Sequence, residues 1–164
     1  MKDVNLRNLT MMALVACCFI QIGAQLFALS VVASTVSAAP PRSFAILQGE
    51  YRYDSSAFWN IVPTITSVLF AIALIANWNT SRRNLLLMAL LLFVVGGLVA
   101  GFYLEPVFDE MKAVGFIDEV DPVLQSRAAR WYALDCAVWS LGASAGVTLL
   151  LALIRPPTTS TAVN

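Results

Sequence analysis

Residues 84–103 read NLLLMALLLFVVGGLVAGFY, an apolar stretch without a single charged side chain. About 20 such residues, coiled as a helix, cross the roughly 30 Å of hydrocarbon in a bilayer. Because lipid offers the backbone no hydrogen-bond partner, a stretch of this kind must form a helix. Three similar stretches lie at about 10–36, 58–78 and 129–154. The sequence therefore predicts an all-α fold, a membrane four-helix bundle that forms one domain over residues 1–164.

The composition agrees with residence in a lipid bilayer and narrows the chemistry. Of the 164 residues, 59% are hydrophobic and 12% are charged, whereas soluble domains carry about twice that charge. The net charge is zero, so nucleic acid is not an expected partner. The chain has no histidine, and its three cysteines, Cys17, Cys18 and Cys136, form no C-x-x-C pair. We therefore expect no metal site and no cofactor.

The first apolar stretch has two interpretations. Its end, residues 36–39, reads VSAA and resembles a signal-peptidase site that follows small residues. The stretch is, however, far longer than the roughly 7–15 apolar residues of a signal peptide. It also contains two glutamines, Gln21 and Gln25, which are unusual in the apolar region of a signal peptide. We interpret it as a retained transmembrane helix.

The third and fourth helices are expected to extend beyond the membrane as a hairpin. Pro106 begins a segment that can continue the third helix, and Gly115 suits its end. Asp121 followed by Pro122 is typical of a helix start, and the pattern then runs unbroken to Ile154. That helix would measure roughly 50 Å, more than a bilayer core needs. The tail, residues 156–164, is polar and predicted to be flexible.

Basic residues near the helix ends give the orientation. Five lie on each side, so the count alone decides nothing. The short link between the second and third helices holds the pair Arg82–Arg83 without an acid, and it must stay close to the membrane. We therefore predict a bacterial inner membrane protein with both termini in the cytoplasm, which makes the acidic helical hairpin extracytoplasmic.

Two glycine pairs predict close helix contacts. Gly97-x-x-x-Gly101 lies on the third helix, and Gly142-x-x-x-Gly146 lies on the fourth. Glycine lets helix backbones approach closely in lipid. The pairs favour packing within the bundle, and homo-oligomer formation is the alternative.

The fourth helix carries the most informative residue, Asp135. An acid inside a membrane span is costly unless it is paired or hydrated, and is therefore a candidate functional group. Trp131 and Trp139 lie one turn on either side of it, Arg127 lies a turn further out, and Arg130 is its neighbour. This stripe predicts a pocket with a basic rim, aromatic walls and a catalytic acid, with all but Asp135 binding a substrate.

Other helices supply polar groups at a similar depth. Asn60 is the substrate-binding candidate on the second helix, and Gln21 and Gln25 lie one turn apart on the first. The alternative interpretation is that Asp135 and the glutamines only hydrogen-bond between helices and hold the bundle together. The residues leave both interpretations open.

Several of these features resemble a family of small four-helix membrane proteins related to anthrone oxygenases, many of unknown function. The shared features are the helix order, Asn60-x-x-Pro63, the segment Leu104–Pro106, and Trp131 followed by a polar residue at Asp135. The family tends to have W-x-x-W-N-x-x-R in its last helix, where residues 131–138 here read WYALDCAV. The resemblance implies cofactor-independent oxygenation of an anthrone-like aromatic substrate.

Two functions follow as hypotheses. The first is binding or oxidation of a lipophilic aromatic or quinone-like molecule in a pocket near Asp135. The second is a non-catalytic accessory or scaffolding role in a larger membrane protein complex, motivated by the glycine pairs, the acidic hairpin and the absence of catalytic motifs. A transporter is less favoured, since no inverted repeat is visible.

Overall fold

The computed structural model describes residues 2–157, and this part is helical with no β-strand. Its α-helices are α1 (Lys2–Phe27), α2 (Ser34–Ala38), α3 (Ser56–Asn77), α4 (Arg83–Val99), α5 (Glu105–Lys112) and α6 (Pro122–Ile154). Two π-helical segments, Ala28–Ala33 and Ala100–Leu104, join α1 to α2 and α4 to α5 without a break. A 3-10 helix, Arg42–Leu47, lies in the first loop.

Four continuous helices are long and apolar enough to cross a membrane, as the sequence predicted. They span Leu6–Ala38, Ser56–Asn77, Arg83–Lys112 and Pro122–Ile154. The first, third and fourth extend beyond the apolar stretches of the sequence because polar residues continue the helical backbone at their ends. Of the tail, residues 156 and 157 are irregular. The prediction of a flexible tail otherwise falls on residues 158–164, outside the described residues.

Local residue chemistry sets the ends of the hairpin helices. Gly115 has φ +76°, a left-handed conformation that glycine adopts without strain, and it follows the end of α5. Asp121 caps α6, since its carboxylate accepts hydrogen bonds from the backbone N–H groups of Val123 and Leu124. Pro122 occupies the first helical position, where its missing N–H costs nothing.

The four long helices form a ring. α1 packs against α3 and α6, α4 packs against α6, and α3 and α4 complete the ring with a smaller contact. Phe70 of α3 and Phe93 of α4 mark this contact, with ring centroids 5.2 Å apart. The short link between α3 and α4 holds these two helices together on one side of the bundle.

One end of the bundle, here called the termini end, gathers the start of α1, the α3–α4 link and the end of α6. Arg82 of the link donates hydrogen bonds to Asn8 Oδ1 and to the carbonyl oxygens of Leu153 and Arg155. A cluster of buried apolar residues fills the bundle next to this end, among them Met11, Leu14, Phe70, Ala73, Leu86, Ala89, Leu149 and Ala152.

The opposite end, here called the hairpin end, consists of residues 39–55 and 105–121. The first loop is tied to the hairpin by the Asp121 N–H, which donates to Pro40 O at 3.0 Å. Gln125 of α6 also donates to Ala38 O at 2.8 Å. A second apolar cluster packs next to this end and contains Val36, Phe44, Leu47, Met111, Leu124 and Ala128.

Candidate functional site

A cavity of about 830 Å³ lies between the two apolar clusters. Its walls come from all four long helices and from the first loop. Its apolar and small lining residues include Cys18, Ile22, Val32, Pro63, Leu92, Phe93, Gly96, Gly97, Ala100, Gly101, Val138, Gly142 and Ala145. Its polar and aromatic lining residues include Gln21, Gln25, Trp59, Asn60, Phe108, Trp131 and Asp135.

Glycines keep this space open. A Cβ added to Gly97, Gly101 or Gly142 would meet no atom within 4 Å, and all three residues line the cavity. The expectation that these glycines bring helices into contact is therefore wrong for them. It is right for Gly146, where a Cβ would lie 2.6 Å from Ile22 Cδ1.

Asp135 lines the cavity and is paired across the bundle. Gln25 Nε2 of α1 donates a hydrogen bond to Asp135 Oδ1 at 3.3 Å. Both side chains also contribute to the cavity wall. Asp135 therefore lies at a cavity and also makes a hydrogen bond between helices, the two arrangements that the sequence left open. One turn along α1, Gln21 donates to the hydroxyl of Thr66 on α3, and Cys17 Sγ lies 3.1 Å from the same hydroxyl.

Trp131 forms a wall of the cavity and is fixed from two directions. Its indole N–H donates to Leu104 O at 3.0 Å. Its ring stacks on Phe108 with centroids 5.0 Å apart and an interplanar angle of 20°. Offset stacking of this kind and a bonded indole N–H hold a large aromatic side chain in one orientation.

Both π-helical segments border the cavity. Ala28, Val32 and Ala33 line it from the first segment, and Gly101 and Leu104 from the second. π-helical turns are uncommon in proteins and are frequent at functional sites. The Leu104 carbonyl that receives the Trp131 N–H belongs to such a segment.

The other sequence-predicted site residues divide into two groups. Asn60 lines the cavity from α3, whereas Arg127, Arg130 and Trp139 do not. Arg127 forms an ion pair with Glu110 of α5, and exposed Arg130 points back to Ser126 O on its own helix at 3.4 Å.

Trp139 turns toward α1, where its indole N–H donates to Ile22 O at 3.1 Å. Steps of four residues rotate by about 40° around a helix with 3.6 residues per turn. A row of residues at exact four-residue spacing therefore turns away from the cavity-facing side of the helix within a few steps. The α6 positions that line the cavity instead alternate steps of three and four: 131, 135, 138, 142 and 145.

The charged rim of the cavity differs from the expected one. It consists of Arg52, Asp54, Glu105, Asp109 and Lys112, which belong to the first loop and α5. Lys112 Nζ lies 2.7 Å from Asp109 Oδ1. The rim carries both signs of charge, and no spacing in the sequence links its loop residues to those of α5.

Asp54 is held in place by the first turn of α3. The backbone N–H of Ser56 donates to its carboxylate at 2.9 Å. This hydrogen bonding with Ser56 holds the pKa of Asp54 below its ordinary value, because the bond stabilises the charged form. Asp54 is therefore an anion at neutral pH.

Within residues 2–157, no group of three Cys, Asp or Glu side chains lies close enough together to hold a metal ion. The chain matches no family model, no curated protein and no solved structure. The resemblance to the anthrone-oxygenase family therefore stays a prediction, as do the roles of the site residues and the absence of a cofactor.

Proposed function

We propose that this protein binds a flat lipophilic molecule, a quinone or a fused-ring aromatic, in the cavity beside Asp135. The observation that carries the proposal is the cavity itself, about 830 Å³ in volume, with one hydrogen-bonded acid–amide pair in a largely apolar wall. Ligand pockets are typically of this size, mostly apolar, and contain a few convergent polar groups that orient the ligand.

The lining supports a ligand of this shape. Trp131 and Phe108 stack on one another along the wall, and Phe93 adds another aromatic ring to the lining. The hydrogen bond between Gln25 and Asp135 is 3.3 Å long, so a carbonyl or hydroxyl of a ligand can compete for either group. Asn60 offers a further amide from α3.

Oxidation of the bound aromatic is the catalytic extension of this proposal, and it rests on the family resemblance. Asp135 is the acid on the cavity wall beside which such a molecule would lie. In that reaction Asp135 would accept a proton from the methylene carbon of an anthrone-like substrate, and Gln25 would hold the carboxylate in place. Dioxygen would then oxidise the resulting carbanion, with one oxygen atom ending in the new ring carbonyl and the other in water. No histidine is available as an alternative base.

A cavity-filling experiment tests the proposal. Gly97→Leu and Gly142→Leu each place a side chain where no atom lies within 4 Å of the added Cβ. Gly23→Leu is the matched control, because Gly23 also has open space around it and does not line the cavity. Binding of 1,4-naphthoquinone and anthraquinone to protein in nanodiscs is read by quenching of tryptophan fluorescence.

We expect Gly97→Leu and Gly142→Leu to weaken quinone binding by at least about tenfold, or roughly 1.4 kcal/mol, with Gly23→Leu unchanged. Equal binding by all three variants would overturn the proposal, as would the absence of saturable quenching in the wild type. Asp135→Asn keeps an acceptor for Gln25 and removes the acid. It is expected to retain binding and to lose any turnover.

The location that best fits this function is a bacterial inner membrane with both termini in the cytoplasm and the hairpin end extracytoplasmic. The Arg82–Arg83 pair at the termini end supports this orientation. Maleimide labelling of Asn79→Cys and of Glu119→Cys reports on which side of the membrane the termini end and the hairpin end lie. A membrane-impermeant maleimide applied to intact spheroplasts is expected to label only the cysteine at position 119, and the reverse pattern would invert the orientation.

An accessory role in a membrane complex is the second candidate function. The supporting observation is a set of exposed apolar side chains at the hairpin tip, Val114, Phe116, Ile117 and Val120. They lie beside the acids Asp118 and Glu119. Isolation in mild detergent with Phe116→Ser/Ile117→Ser as the comparison variant tests this role. A partner subunit or second copy that is lost from the variant supports it, and a monomer without partner in both samples counts against it.

A further inference from the structure

The termini end brings together basic side chains from distant parts of the sequence. Arg82 is the last residue of the α3–α4 link, Arg83 is the first residue of α4, and Arg155 follows α6. Arg155 donates to Ser81 O at 3.3 Å, and the Ser81 hydroxyl donates to Pro156 O at 2.8 Å. These bonds place Arg155 beside the α3–α4 link, directly before the start of α4.

The charge of this end is uncompensated among the described side chains. Among the acids whose side chains the structure describes, Asp135 lies in the cavity and all others lie at the hairpin end, and Asp3, in the first turn of α1, is not among them. Arg82 is only 3% exposed, and its partners are an amide oxygen and two carbonyl oxygens. Burial lowers the pKa of its guanidinium, because the charged form loses hydration. A buried cation with neutral partners favours an anion nearby.

Arg82 and its neighbours play different parts. Arg82 is occupied by the carbonyl groups that end α6, whereas Arg83 and Arg155 are exposed and each has spare N–H donors. Arg83 also begins α4, and the first N–H groups of a helix attract anions. Both side chains thus have N–H donors available for an anion at this end of the bundle.

Trp78 places this site at the membrane surface. It follows α3, is 49% exposed and lies under the guanidinium of Arg83, 5.7 Å from the ring centroid. Tryptophan is enriched at the level of the lipid headgroups, and basic pockets between transmembrane helices bind anionic headgroups. A tryptophan and an arginine joined in this way match the two halves of a phospholipid, its glycerol region and its phosphate.

We infer that Arg83 and Arg155, with Trp78 as the interfacial anchor, bind the phosphate headgroup of an anionic phospholipid at the termini end. This site is separate from the cavity and does not depend on the ligand proposed there. The lipid would bridge the α3–α4 link and the end of α6, the same two segments that Arg82 joins inside the bundle.

Native mass spectrometry of the purified full chain tests the inference. The protein is delipidated in mild detergent and titrated with phosphatidylglycerol or with phosphatidylcholine of the same acyl chains. We expect the wild type to prefer phosphatidylglycerol. Since each basic residue near a membrane surface contributes about 1 kcal/mol, Arg83→Gln/Arg155→Gln should lower this affinity by about 30-fold. Its affinity for phosphatidylcholine should not change.

Arg42→Gln is the control, because Arg42 is an exposed arginine at the hairpin end, and it should bind phosphatidylglycerol as the wild type does. If the double variant does not purify as a folded protein, each single variant is measured and should lose about fivefold. Equal affinity of the wild type for both lipids, or of the variants and wild type for phosphatidylglycerol, would overturn the inference. Full displacement of phosphatidylglycerol by millimolar inorganic phosphate would instead identify a free-phosphate site and reject the lipid.

Discussion

The hydrogen bonds of Arg82 give the sharpest prediction about stability. Its guanidinium donates to Arg155 O at 2.7 Å, to Asn8 Oδ1 at 2.8 Å and to Leu153 O at 3.0 Å. The last carbonyl groups of a helix have no hydrogen-bond donor within the helix. Arg82 supplies the donors for two such carbonyl groups at the end of α6. Arg82→Met keeps much of the length of the side chain and removes all three donors.

Two opposing effects set the magnitude for Arg82→Met. A hydrogen bond to a charged group contributes about 1.5–3 kcal/mol, so the three bonds together amount to about 5–9 kcal/mol. Removing a buried cation whose described partners are all neutral relieves a desolvation cost of several kcal/mol. The three acceptors remain partly buried without a donor, so the balance stays unfavourable. We expect the free energy of unfolding to fall by about 2–4 kcal/mol.

Equilibrium unfolding in mixed micelles, with increasing dodecyl sulfate and helical circular dichroism as the signal, measures this change. Arg83→Met is the matched control, since it removes a neighbouring exposed arginine and should change stability by no more than about 0.5 kcal/mol. Arg82→Lys keeps the charge without the planar fork of donors and should fall between the two. Unchanged stability in Arg82→Met, or an equal loss in Arg83→Met, would refute the reasoning.

Two further predictions concern packing around the cavity. Gly146→Leu should destabilise the bundle by about 1–3 kcal/mol, because even its Cβ would lie 2.6 Å from Ile22 Cδ1. The control variant, Gly142→Leu, should unfold at the same dodecyl sulfate fraction as the wild type. Similar losses of stability in both variants would contradict this prediction. Trp131→Phe should cost about 1 kcal/mol by removing the indole N–H that donates to Leu104 O, and unchanged unfolding would show that this bond contributes nothing.

The sequence by itself predicted the number of helices that are long and apolar enough to cross a membrane, and where the last of them begins. Long apolar stretches predict membrane helices because the backbone in lipid has no other way to satisfy its hydrogen bonds. Asp121 and Pro122 start α6 through contacts within a single turn. Such features depend only on residues that are neighbours in the chain, so the local sequence is sufficient to specify them.

The tertiary structure alone decided where the helices separate and which side chains meet. The partner of Asp135 is Gln25 on a distant helix, and Arg127 pairs with Glu110 and lies outside the cavity. Lipid-facing and cavity-facing positions are equally apolar in a membrane protein, so hydropathy does not distinguish them. Gly97 and Gly146 belong to the same kind of sequence pattern, yet one lines open space and the other packs against α1. That difference arises from the distance between helix axes, which no local pattern encodes.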